Sequence, residues 1–155
     1  MNRPNYIRFL DVRWSLGLLL GLWALTAVAS APPGRYSIPG DGTVHDTKTG
    51  LVWQRAVAPG SYTWSQAGSY CGGLSLAGTG WRLPSVKELM TLVDFTVASG
   101  ATIDATAFPN TPANWFWSSS PMVTGNPSTE WSVNFGNGRT AESDVGPASQ
   151  VRCVR

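Results

Sequence analysis

The chain carries two cysteines, Cys71 and Cys153, 82 positions apart. What such a pair can do depends on the compartment, and the first residues bear on that. Arg3, Arg8 and Arg13 stand against a single Asp11, and the run SLGLLLGLWALTAVA follows without a charge. A basic start, an apolar run shorter than the roughly 20 residues of a membrane span, and small residues after it make the order of a secretory signal. Ala27-Val28-Ala29 places cleavage after residue 29, whereas cleavage after Ala31 would put Pro32 at the scissile bond. Residues 1–29 are therefore expected to be a signal peptide, the alternative being an uncleaved N-terminal anchor. The mature protein is expected to be exported, periplasmic or extracellular. There an even pair of cysteines reads as a disulfide, the alternative being two free thiols. A bridge closing so long a loop contributes on the order of 4 kcal/mol in the chain-entropy model.

Export also changes the charge balance. The whole chain has 11 basic and 9 acidic residues, but the signal takes three and one of these, leaving 8 against 8. A neutral domain lacks the clustered Lys and Arg of a nucleic-acid footprint. No second long apolar run follows residue 29, so no membrane span is expected in the mature chain. No cysteine near the cleavage site offers a lipid anchor.

Residues 30–42, SAPPGRYSIPGDG, are rich in Pro and Gly and read as a tether before a domain of residues 43–155. TVHDTKTGLVWQRA predicts a β-hairpin, turning between Asp46 and Gly50. Thr63 and Gln66 form a capping box, with Ala67, Tyr70, Cys71 and Leu74 on one helical face and Gly72-Gly73 at the end. Ser85 and Glu88 form a second box, with Pro84 before the cap and Val86, Leu89, Met90 and Val93 on one face. Residues 95–116 read as loop, and Phe116-Trp117-Ser118-Ser119-Ser120 as a strand. Trp131, Val133 and Phe135 alternate into an Asn137-Gly138 turn. Val151 and Cys153 share one face of a last strand. The order predicts an α+β fold: two short helices, a small antiparallel β-sheet and paired chain ends.

The residues offer little for catalysis. His45 beside Asp46 reads as a turn feature, and Ser118, Ser119 and Ser120 lack a nucleophile elbow. No His/Cys spacing suits zinc, and Asp94 and Asp104 are separated by a loop that fixes no geometry. No metal or cofactor is expected. Six tryptophans remain after residue 29. Trp53, Trp117 and Trp131 fall in strands and are expected in the core. Trp115, beside Asn114 at a loop end, is better placed to stack on a ligand.

TGLVWQ, a Trp before the helix bearing Cys71, GWRLPSVKEL, Phe108-Pro109, FWSSS, the W-x-V-x-F of 131–135 and the final VRCVR occur in that order. In this the chain resembles the Lcl C-terminal domain family, named for a collagen-like adhesin, over residues 43–155. The resemblance implies a C-type-lectin-like fold, a bridge between Cys71 and Cys153, and an exported or surface protein; some members bind sulfated glycans. This chain departs from that pattern in its neutral charge, with Lys48 and Lys87 its only lysines. It has no collagen-like stalk and no Glu-Pro-Asn or Trp-Asn-Asp calcium motif. In GWRLPSVKEL, Trp81 and Leu83 are expected to pack beneath the helix begun by Pro84, Ser85 and Glu88. Arg82 is expected to pair with a carboxylate or loop carbonyls, so the motif reads as structural.

Two functions follow as expectations. One is a non-catalytic module binding carbohydrate or another surface partner. The other is an enzyme akin to the sulfatase-modifying, formylglycine-generating oxidases, which needs redox-active cysteines. Binding chemistry belongs on loops, and 110–115, 122–130 and 137–144 are the candidates. They collect Asn114, Trp115, Asn126, Glu130, Asn137, Arg139, Glu142 and Asp144, with Trp115 as stacking platform. The alternative is that these are ordinary solvated loops.

Overall fold

The computed structural model describes residues 31–122 and 128–155, so the signal-peptide reading and Asn126 lie outside the described residues. Strands β1 (Tyr36–Ser37), β2 (Thr43–Asp46) and β3 (Val52–Gln54) form one antiparallel sheet in that order. Strands β4 (Trp115–Pro121), β5 (Thr129–Asn134) and β6 (Arg139–Asp144) form another. The fold is α+β as expected, with two small sheets where one was expected.

The β2–β3 hairpin forms where its sequence predicts. Val44 pairs with Trp53, and the Asp46 carbonyl accepts from the Gly50 N–H at 2.8 Å. Gly50 has φ of 74°, a left-handed conformation that costs glycine little. Helix α1 (Trp64–Gly73) starts at the Thr63–Gln66 box and α2 (Val86–Met90) at the Ser85–Glu88 box, both complete in the reciprocal sense. Ala67 and Cys71, four residues apart, turn one face of α1 into the core. The α2 helix stops at Met90, so Val93 joins the apolar cluster from beyond its end.

The two sheets are joined by residues 149–155. Val154 bridges to Trp53 on one side and Arg82 on the other, while Tyr62 pairs with Ser149 and Phe116 with Gln150. Val52 and Arg155 exchange both backbone hydrogen bonds at 2.9 Å, which pairs the last residues with the first hairpin of the domain. Val151 and Cys153 share a core cluster, as their spacing predicts. The alternate positions are buried too: Arg152 and Val154 are 0% exposed, because this segment has neighbours on every side.

Strand β4 is likewise covered on both faces. Phe116 packs with Leu89, Val133 and Phe135, and Trp117 packs with Cys71, Trp81, Leu83, Val151 and Cys153. Trp53 and Trp117 are core residues as expected, whereas Trp131 is only half-buried, beside Val86, Lys87, Met90 and Thr140. The disulfide joins Cys71 and Cys153 within the second cluster, both sulfur residues wholly buried and their Cα atoms 5.4 Å apart. The pairing agrees with the family resemblance.

Two expectations are corrected. Residues 31–42 are no free tether. Tyr36 and Ser37 pair with Asp46 and His45, and the Arg35 guanidinium meets the buried Asp46 carboxylate at 3.0 Å. Arg35 lies over the Tyr36 ring at 4.7 Å, Tyr36 meets Phe108 edge-on at 5.2 Å, and Arg152 covers Phe108 at 4.7 Å. These stacked rings and cations fasten the segment to the domain. Of the stretches 122–130 and 137–144 offered as loops, Thr129 and Glu130 lie in β5 and residues 139–144 are strand β6. That strand is the returning one of the Asn137-Gly138 hairpin, in unbroken register with β5 from Asn134–Arg139 to Thr129–Asp144.

GWRLPSVKEL behaves as a structural joint. Arg82 makes two hydrogen bonds to the Glu88 carboxylate, at 2.8 and 2.7 Å. Glu88 also accepts from the Ser85 N–H at 2.7 Å, and these donors hold its pKa at about 2 against an ordinary 4.5. The Pro84 carbonyl accepts from Ser119 at 2.7 Å, fixing the joint to β4. Trp81 is buried, its indole N–H on the Leu76 carbonyl at 2.9 Å and its ring under Arg155 at 5.1 Å.

Candidate functional site

The groups that could do catalysis are held apart. His45 is exposed on β2, while Asp46 next to it turns inward to Arg35, since successive strand residues face opposite sides. Ser118 donates to the Trp131 carbonyl at 2.6 Å, and the Ser120 hydroxyl accepts from the Val86 N–H at 2.9 Å. Ser118 thus ties β4 to β5 within the sheet, and Ser120 braces β4 against α2. Asp94 accepts from Thr96 and closes local backbone, and Asp104 accepts from Thr106 and Ala107 beside it and from the distant Ala31 N–H, so both carboxylates are committed to holding backbone. Among the described residues no three His, Cys, Asp or Glu side chains gather as a metal site.

The candidate binding residues separate into two groups. Trp115 lies opposite Asn134 on β5, and Asn134 lies opposite Arg139 on β6. Direct partners in neighbouring strands share a face, with Cβ atoms about 5 Å apart. Trp115, Asn134 and Arg139 therefore form a ladder across one end of the second sheet. Asn114 joins it through its carbonyl, which accepts from the Phe135 N–H at 2.9 Å. The side chain of Asn114 accepts from Trp115 N–H at 2.8 Å, and that of Asn137 from Arg139 N–H at 3.0 Å. These bonds set the backbone of the rim and leave the amide nitrogens of both side chains out of those contacts.

Glu130 and Asp144 sit at the other end, opposite Ser143 and Thr129. Four residues of strand, about 13 Å, separate Glu130 from Asn134, too far for one sugar ring to touch both groups. Glu142 is exposed on β6 opposite Trp131. Burial raises the carboxyl pKa of Glu130.

Two rim members escaped the sequence reading. Asn134 was lost inside a strand pattern, although the register puts it between Trp115 and Arg139. Phe95 is 71% exposed, and a Cβ on Gly138 would meet its ring at 2.4 Å, so the ring lies over the β5–β6 turn. An isolated Phe in a predicted loop carries no signal that it will be displayed. Only the requirement for a side-chain-free residue at 138 could have hinted at it.

Among the described residues no helix is long and apolar enough to cross a membrane. No curated protein matches the chain at a significant level. Residues 42–155 match the Lcl C-terminal domain, in the order of motifs and with the cysteine bridge described above, and the chain belongs to that family.

Proposed function

We propose that this is an exported, non-catalytic binding module on a C-type-lectin-like frame, whose partner is a carbohydrate or another cell-surface molecule. The observation that carries the reading is the ladder of Trp115, Asn134 and Arg139. It offers an indole face, amide groups and one guanidinium along a single rim. An indole stacks on the apolar face of a sugar while the flanking amides and guanidinium take its hydroxyls. The Cys71–Cys153 bridge supports export, since such bonds persist in oxidising compartments. It also argues against the formylglycine-generating type of oxidase, because both sulfurs are committed to a buried bond between α1 and the last segment.

The test is the double variant Trp115→Ala, Arg139→Ala on a glycan array beside the unaltered domain. Loss of signal by tenfold or more at an unchanged melting temperature is the expected outcome. Unchanged binding would move the site away from this rim.

A further inference from the structure

Residues 56–81 contain no Asp, Glu, Lys, Arg or His. Helix α1 lies within that stretch, yet Ser65, Gln66 and Ser69 stand exposed to solvent. A surface helix ordinarily carries charges on its outer face. Here the outer face has hydroxyls and an amide instead, with tyrosines beside them. Ser61, Tyr62, Ser65, Gln66, Ser69 and Tyr70 line a concavity of about 590 Å³.

Its aromatic wall is set before any ligand arrives. The Tyr62 and Tyr70 rings lie 5.1 Å apart, tilted by 37°. The Tyr62 hydroxyl donates to the Pro59 carbonyl at 2.8 Å, and the Tyr70 hydroxyl accepts from the Gln54 amide at 2.9 Å. Backbone bonds in both directions tie Tyr62 to Ser149, and the Gln150 amide holds the Ser61 hydroxyl at 2.8 Å. Fixed side chains lose little further entropy when a ligand binds.

The chemistry of the lining selects the ligand. An anionic group entering here would lose water and meet no cation from the lining, an uncompensated cost. No aliphatic side chain is present to form the apolar centre of a protein interface. The Ser69 hydroxyl donates to the Ser65 carbonyl at 3.1 Å and the Gln66 side-chain oxygen accepts from the Thr63 N–H at 3.0 Å, so the fringe offers their remaining lone pairs and the Gln66 amide nitrogen. With the tyrosine faces these match a molecule that alternates C–H faces with hydroxyls. We propose that this face of α1 is a binding subsite for neutral oligosaccharides, separate from the Trp115 rim. It shares with the proposed function only the premise that the domain binds glycans.

The test uses the oxidised domain in titration calorimetry with maltohexaose, cellohexaose and chitohexaose, and with dextran sulfate as the anionic arm. Ser65→Glu with Ser69→Lys fills the concavity with charge, and its i,i+4 pairing keeps the helix supported. Tyr62→Ala removes one platform, and Tyr62→Phe restores the ring without the hydroxyl. The expected result is binding of at least one neutral hexasaccharide. That binding should fall about tenfold or more in the Ser65/Ser69 variant and in Tyr62→Ala, and recover in Tyr62→Phe. The Trp115→Ala, Arg139→Ala variant should leave it unchanged. Binding of dextran sulfate alone would overturn the proposal together with recognition by stacking and hydroxyl bonding; sensitivity to the rim variant only would overturn the proposal and leave the proposed function standing. A dimer in sedimentation that the Ser65/Ser69 variant dissolves would assign the face to a second copy and also overturn it. Failure of all four probes, with a blank glycan array, would remove this subsite and the carbohydrate form of the proposed function.

Discussion

Arg152 places a guanidinium where water does not reach, with no carboxylate as its partner among the described residues. Its two terminal nitrogens reach the Gln54 carbonyl at 2.7 Å, the Arg55 carbonyl at 2.5 Å and the Thr111 hydroxyl at 2.7 Å. Burial pulls its pKa down to about 9, and it stays a cation at neutral pH. Its planar fork joins β3, the loop after Phe108 and the last segment in one step. Alternation along VRCVR would have sent this side chain to solvent. Strand periodicity assumes one open face, and this segment has none. Arg152→Ala leaves those acceptors unpaired and removes the stacking on Phe108, and should cost about 3–5 kcal/mol in urea unfolding. Arg152→Lys, which keeps the charge but not the fork, should recover only part of that. A loss below about 1 kcal/mol in Arg152→Ala would contradict the role given to it. At Glu88 the pKa lies below its unfolded value, so its stabilisation is present above about pH 4.5 and is lost as pH falls toward 2. Glu88→Gln should lower the melting temperature near pH 6, and the gap from wild type should close toward pH 2. A gap independent of pH would place the effect elsewhere.

At the scale of elements, the features legible in the sequence are those decided by neighbours in the chain. The two capping boxes and the Asp46–Gly50 turn are satisfied by residues two to four positions away, and they form as their patterns predict. What failed was decided at long range. Residues 31–42 read as a linker from Pro and Gly content, because their holds are Asp46, Phe108 and Thr91, which composition cannot reveal. Residues 137–144 read as a binding loop although the Asn137-Gly138 turn already signals a hairpin, because their polar side chains suit solvent and an edge strand needs no apolar face on its solvent side. The disulfide belongs to this scale, since it fastens α1 to the segment that joins both sheets. Cys71→Ala with Cys153→Ala should lower the unfolding free energy by on the order of 4 kcal/mol. Reducing agent should do the same to the wild type and nothing more to the variant. A variant as stable as the oxidised wild type would mean that the bridge constrains nothing the fold does not already hold.

Across the whole molecule, the apolar residues of both sheets, the disulfide and the GWRLPSVKEL joint are committed to holding the domain together. Recognition is left to its outer surfaces. The sequence pointed to Trp115, Asn137 and Arg139 because a Trp beside Asn and a turn with Asn-Gly stand out locally. It could not order them against Glu130 and Asp144, since the β5 register that parts the two groups appears only when strands pair. The neutral balance of the domain argues for recognition through stacking and hydroxyl bonding, not through a field of charge. The central claim is the proposal that the domain binds carbohydrate by such contacts. Its most direct test is a glycan array probed with the oxidised domain, once with calcium and once with EDTA. The account predicts a discrete set of retained glycans, the same in both conditions and persisting as salt is raised. An array blank in both conditions, or binding confined to sulfated glycans and abolished by salt, would contradict it.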